Sequence, residues 1–113
     1  MFTVNTFINA LSVLLDSPLL KSSEVKFFDS FIPCFLVDVE VHKDHVFLQF
    51  EVDHECDSCM DGKELLQILQ EFLKENPEIE IFPVKFNNEI GSMCMTSVTS
   101  LSISEETECI ELF

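Results

Sequence analysis

The sequence predicts one α+β domain over residues 1–113. It should be an antiparallel sheet of four to six strands with two helices on one face, in the order α(β)ββαββ(β). Three observations predict it. Apolar stripes with helical period occur near the N-terminus and again in mid-chain. Between them, residues 34–53, CFLVDVEVHKDHVFLQFEVD, alternate with period two, as a half-buried strand pair does. Runs of strands separated by single helices are accommodated by layering the helices on one side of a sheet, which leaves the other side free. A chain of 113 residues, 47% hydrophobic and with 12 Phe, suits one domain with a sizeable core.

The first helix rests on Val4, Phe7, Ile8, Leu11, Leu14 and Leu15. They fall at i, i+3, i+4, i+7, i+10 and i+11, one stripe of a helix that covers the sheet. Thr3 or Asn5 caps it, and Ser17-Pro18 ends it. In Lys21–Ile32 a short strand near Glu24–Phe28 is expected, and Pro33 marks entry to the main hairpin.

With Lys43-Asp44 as the turn of that hairpin, Val41 faces Val46, Val39 faces Leu48, Val37 faces Phe50 and Phe35 faces Val52, all on the core side. The opposite face then pairs His42 with His45, Glu40 with Phe47, Asp38 with Gln49 and Leu36 with Glu51. Asp61 is an N-cap with Glu64 three residues on, so a helix spans Gly62–Glu75 with Leu65, Ile68, Leu69, Phe72 and Leu73 buried. Asn76-Pro77 stops it. Glu78–Phe86 is expected as a strand with Ile79 and Ile81 inward, shifting phase to Phe82, Val84 and Phe86 beside Pro83. Met93–Ile103 is expected as one long strand, and Glu105–Phe113 as a last one.

Composition narrows the function. There are 21 acids against six lysines and no arginine, a net charge of −15. No basic patch can be assembled, so direct nucleic-acid binding through phosphates is not expected. The absence of arginine also argues against bidentate recognition of carboxylates or phosphates. Such charge keeps a protein soluble and also suits a protein partner with a basic surface. The N-terminus lacks a positively charged leader, and the apolar segment after it is amphipathic and too short to span a bilayer. A cytoplasmic, reducing compartment with free thiols at the five cysteines is therefore expected, without membrane association.

The densest group of reactive side chains is HECDSCMDGKE, residues 54–64. His54, Cys56 and Cys59 are metal-ligand types within six residues, with His42 and His45 paired on the hairpin, but one C-x-x-C without a second knuckle is a weak zinc signal. A strand, C-x-x-C and helix in that order also suits a redox dithiol, although Glu55, Asp57 and Asp61 would raise the thiol pKa. Asp53, Glu55, Asp57, Asp61 and Glu64 match calcium-loop spacing, but Ser58 stands where a glycine is needed. A solvated loop leading into a helix cap outweighs all three. There is no Ser-His-Asp set and no glycine-rich phosphate loop, only Gly62 and Gly91, so neither a catalytic residue nor a cofactor is expected.

The stripe Val4–Leu15, the meander through residues 34–53 and the helix end LLQILQEFLKENP, followed by strands to Ile103, resemble class I type III secretion chaperones and the related YbjN-like domains. The resemblance spans most of the chain. It implies a homodimer that wraps a partner segment along its sheets without ATP.

The function expected from the residues is a non-enzymatic module that holds or neutralises one protein, in the manner of an inhibitor or chaperone. Asp38, Glu40, Phe47, Gln49 and Glu51 on the polar hairpin face are its expected contact residues. The alternatives are a DNA- or RNA-mimicking inhibitor, as in phage anti-defence proteins, and a metal or thiol-redox protein acting through His54, Cys56 and Cys59.

Overall fold

Residues 1–52, 59–91 and 93–113 are described in a computed structural model of the chain. The first helix, α1, spans Val4–Leu15. Thr3 caps it: its hydroxyl accepts from Thr6 N, and Thr6 Oγ1 accepts from Thr3 N in return, which satisfies backbone donors that a helix end leaves open. Val4, Phe7, Ile8 and Leu11 are buried, as the stripe predicts. The second helix, α2, spans Gly62–Glu75, with Asp61 Oδ1 accepting from Glu64 N at 2.9 Å. Asp61 also accepts from the Ser23 hydroxyl at 3.0 Å through Oδ2, which ties the start of α2 to the approach to the first strand.

The strands are β1 (Val25–Asp29), β2 (Ile32–Val41), β3 (Val46–Glu51), β4 (Val84–Phe86), β5 (Thr96–Ser97), β6 (Leu101–Ile103) and β7 (Ile110–Leu112). They form one sheet in the order β5-β4-β3-β2-β1-β7-β6. The α+β class and the helices on one face agree with expectation; the strand number and pairing do not. Among the described residues the sheet has seven strands rather than four to six. It is also mixed rather than antiparallel, since β3–β4 and β1–β7 pair in parallel. The first parallel pair follows from connectivity: α2 lies between β3 and β4, and a helical crossover returns the chain to lay the next strand parallel.

The two edge strands, β5 and β6, are separated by only residues 98–100. Seven flat strands would place their edges about 29 Å apart at ~4.8 Å per spacing. The four residue steps from Ser97 to Leu101 reach about 14 Å at most. The sheet therefore curls until its edges meet. Val98 N donates to Val84 O at 2.9 Å on one side, and Thr99 N donates to Phe113 O at 2.7 Å on the other. The single long strand expected over Met93–Ile103 is thus two short ones, because its middle changes partner and must bend. Met93 and Met95, outside both short strands, are exposed.

Two further corrections concern phase. In β2 a bulge lies between Leu36 and Asp38. Beyond it the expected pairs hold, with Val41 opposite Val46, Val39 opposite Leu48, Glu40 opposite Phe47 and Asp38 opposite Gln49. Before it they shift by one residue: Leu36 pairs with Phe50 and Phe35 with Glu51. Leu36 is therefore buried and Phe35 lies on the outer face, while Val52 is exposed. The other correction is at Pro77–Ile81, a 3₁₀ turn rather than a strand. Its three-residue period buries Ile79 and turns Ile81 to solvent.

One core forms between the inner sheet face and the helices. Phe50 packs edge-on against Phe27 and Phe86 at centroid distances of 4.9 and 6.1 Å. Among the described residues no polar or charged side chain is buried, and no helix is long and apolar enough to cross a membrane.

Replacing Phe50 by Ala should cost about 3–5 kcal/mol in urea unfolding, because it leaves a cavity between two rings. Gly62→Ala tests a tighter point. A Cβ there would sit 2.8 Å from Ile110 Cδ1 and 3.2 Å from the Ser23 carbonyl oxygen. Overpacking of about 1–3 kcal/mol should outweigh the helix propensity that Ala gains, about 1 kcal/mol, so the variant should unfold at lower urea.

Candidate functional site: the open face of the sheet

The side of the sheet turned away from the helices carries two rows of side chains set by strand register. One row runs Ser97, Lys85, Phe47, Glu40 across β5, β4, β3 and β2. The other runs Glu51, Phe35, Lys26, Glu111, Ser102 across β3, β2, β1, β7 and β6. Gln49 and Asp38 pair between them. All five residues expected to contact a partner, Asp38, Glu40, Phe47, Gln49 and Glu51, lie on this face.

Phe35, Lys26, Lys85 and Glu111 join them. Phe35 was missed because the bulge reverses its side, and the others because β4 and β7 pair with strands distant in sequence. The face is thus an alternation of carboxylates with two half-buried phenyl rings and two lysines. Lys26 is partly spoken for: its Nζ lies 3.0 Å from Glu24 Oε2 and 5.2 Å from the centroid of Phe35. The bulge is held locally, with Val39 N donating to Asp38 Oδ1 at 2.8 Å.

Two shallow grooves flank these rows. One, of about 200 Å³, lies between Phe47, Gln49, Asn87 and residues 93–95. The other, of about 340 Å³, lies between Lys26, Phe35 and Cys59–Asp61. Asn87 closes the end of β3 by donating from Nδ2 to Phe50 O at 2.9 Å and accepting from Phe50 N at 2.8 Å. It therefore fixes the wall of the first groove.

At the hairpin tip His42 and His45 stack with centroids 4.6 Å apart and planes 5° apart. His42 Nε2 meets Glu40 Oε1 at 3.1 Å, and His45 Nδ1 meets Asp44 Oδ1 at 2.7 Å. The hydrogen bond from His45 holds the Asp44 carboxyl below its ordinary value, and attraction to His45 and Lys85 acts in the same direction. Stacked rings direct their in-plane lone pairs side by side, so the pair as it stands is not a shared metal grip.

Of the candidate metal ligands, His54 and Cys56 lie outside the described residues, and Cys59 is half-buried and disulfide-bonded, where a reduced thiol was expected. Asp53, Glu55 and Asp57 of the calcium spacing also lie outside them. Within it, Asp61 is committed to Glu64 N and Ser23. Cys34 and Cys109 are buried free thiols. Burial pushes the Cys34 thiol up, which disfavours the thiolate.

The chain matches no family model, no curated protein and no solved structure.

The Asp44 shift carries a pH dependence. A carboxyl depressed in the folded state adds stability above its unfolded value, and that stability is lost as pH falls through the folded value. In an NMR titration the Asp44 carboxyl should therefore show a midpoint below the ordinary 3.8, and His45→Leu should move it back up.

Proposed function

We propose that this protein is a non-enzymatic binding module that holds or neutralises a protein with a basic surface through the open face of its sheet. The observation that carries the reading is the composition of that face. Asp38, Glu40 and Glu51 stand beside Phe47 and Phe35 on a rigid strand scaffold, while the helices pack on the opposite side. Aromatic groups supply contact area that loses little side-chain freedom on binding, and carboxylates around them steer a cationic partner and select against an anionic one. A mimic of nucleic acid would need a more uniform array of negative charge. Lys26 and Lys85 interrupt both rows, and the grooves beside them are partly apolar, which favours a protein-holding role over mimicry. The partner-wrapping use implied by the resemblance to secretion chaperones belongs to the same reading.

The test is affinity capture from an extract of the encoding organism, with mass spectrometry, comparing the natural chain with an Asp38→Asn/Glu40→Gln/Glu51→Gln/Phe47→Ser variant. All four positions are outside the core, so the variant should fold. One protein should be enriched by the natural chain, lost by at least about tenfold in the variant, which corresponds to ~1.4 kcal/mol, and released as salt rises. Enrichment that is equal for both chains would remove this face from the function.

A further inference from the structure

The tip of the β1–β2 hairpin is built against the preferences of its own backbone. Asp29 pairs with Ile32, so Ser30 and Phe31 alone make the turn, with φ of 50° and 72°. Both central residues of such a turn need positive φ, which suits Gly, Asn or Asp and strains a bulky aromatic. Phe31 is also 97% exposed, and Phe28 just before the turn is 39% exposed. Neither the backbone nor the core gains from a phenyl ring at this position. Strain retained at an exposed site is a reason to look for a ligand, though not an identification of one.

The surroundings identify the chemistry. Phe28 and Phe31 form the apolar side of a groove of about 530 Å³ whose remaining lining is Ser104, Glu105, Glu106 and Glu111. Three carboxylates and two phenyl rings thus face one space, and no cation is among the lining residues. Lys26, the neighbour of Glu111 across the β1–β7 pair, is held by Glu24 and lies over Phe35.

We propose that this groove docks a segment of another protein that presents lysine or arginine next to an apolar side chain. The apolar group seats against Phe28 and Phe31, and the cation against Glu105, Glu106 and Glu111. The aromatic faces add attraction for the cation beyond that of the carboxylates. Charge complementarity selects this occupant. A second copy of the chain would bring another net charge of −15 to an acidic groove. Nucleic acid and anionic lipid are repelled by the same carboxylates. The proposal rests on the reading of the protein as a binding module, but it names a different patch, at the β1–β7 end of the open face away from Asp38, Glu40 and Phe47, and can fail while that reading stands.

The probe is a fluorescein-labelled 12-residue peptide of Lys, Leu and Ser, compared with versions carrying Glu for Lys or Ser for Leu. Binding to the full chain is read by anisotropy and mapped by ¹⁵N chemical shifts. The Lys/Leu peptide should bind, and each control should bind at least about tenfold more weakly. Shifts should cluster at Phe28, Phe31, Ser104–Glu106 and Glu111.

Phe31→Gly is the informative variant. Glycine takes φ of 72° without strain, so thermal melting should be unchanged or higher, while affinity should fall about tenfold or more. Glu105→Gln/Glu106→Gln should weaken binding and flatten its salt dependence. The proposal is overturned if Phe31→Gly binds like the natural chain, if the Leu-free peptide binds equally well, or if no peptide binds. Shifts confined to Asp38, Glu40 and Phe47 would also overturn it, while supporting the broader reading. Failure of host-protein capture, by contrast, would count against the broader reading alone.

Discussion

The closure of the sheet depends on three residues. Residues 98–100 join the two edge strands and hydrogen-bond to β4 on one side and to the C-terminus on the other. A chain that short cannot bridge a flat seven-stranded sheet, so the strands must curl around whatever fills the inner side. The filling comes from Val4, Phe7, Ile8 and Leu11 of α1 with Leu65 and Leu69 of α2. Curling and packing are therefore one event: the helices supply the volume, and the strap from Thr96 to Ile103 sets the circumference. Phe2 takes part in the closure, since its N–H donates to Val98 O and its carbonyl accepts from Val84 N, bringing the start of the chain to the same seam.

A curled sheet has consequences outside the core. Its edge strands β5 and β6 are only two and three residues long, which leaves little backbone available for adding a strand from another chain. The outer surface carries the acids of a chain with 21 of them, because the core admits none among the described residues. Alternation along each strand then places phenyl rings and carboxylates side by side on one rigid face. The bulge at Leu36–Asp38 adds Phe35 to that face and sends Leu36 into the core in its place. One inserted residue thus changes the surface and the interior together, because side chains alternate with a period of two.

The two proposed contact regions differ in how they are held. Asp38, Glu40, Phe47, Gln49 and Glu51 sit on paired strands, where register fixes their spacing. Phe31 sits on a two-residue turn whose backbone is strained, and the carboxylates facing it come from the segment between β6 and β7 and from Glu111 of β7. The first can present a fixed charge pattern. The second places one aromatic side chain clear of the sheet, where a partner can bury it.

Much of the architecture was legible in the sequence, because local period reports local burial. The helices at Val4–Leu15 and Gly62–Glu75, the caps Thr3 and Asp61, the Lys43–Asp44 turn and the inward set Val39, Val46, Leu48 and Phe50 all follow from spacing within a few residues. The five expected contact residues share one face for the same reason. The bulge left no local mark: Phe35 and Leu36 are both apolar, so either phase is chemically acceptable, and packing against Phe50 decides. The Ser30–Phe31 turn carries none of the residues that such a turn prefers, so its hairpin was invisible. The parallel pairs and the closure of β5 to β6 involve strands of two or three residues, too short to show a period. Their partners are chosen by the geometry of wrapping a sheet around two helices, which only the tertiary structure decides. By itself the sequence determined an acidic α+β fold with one greasy and one wet sheet face; long-range pairing determined which residues meet on the wet one.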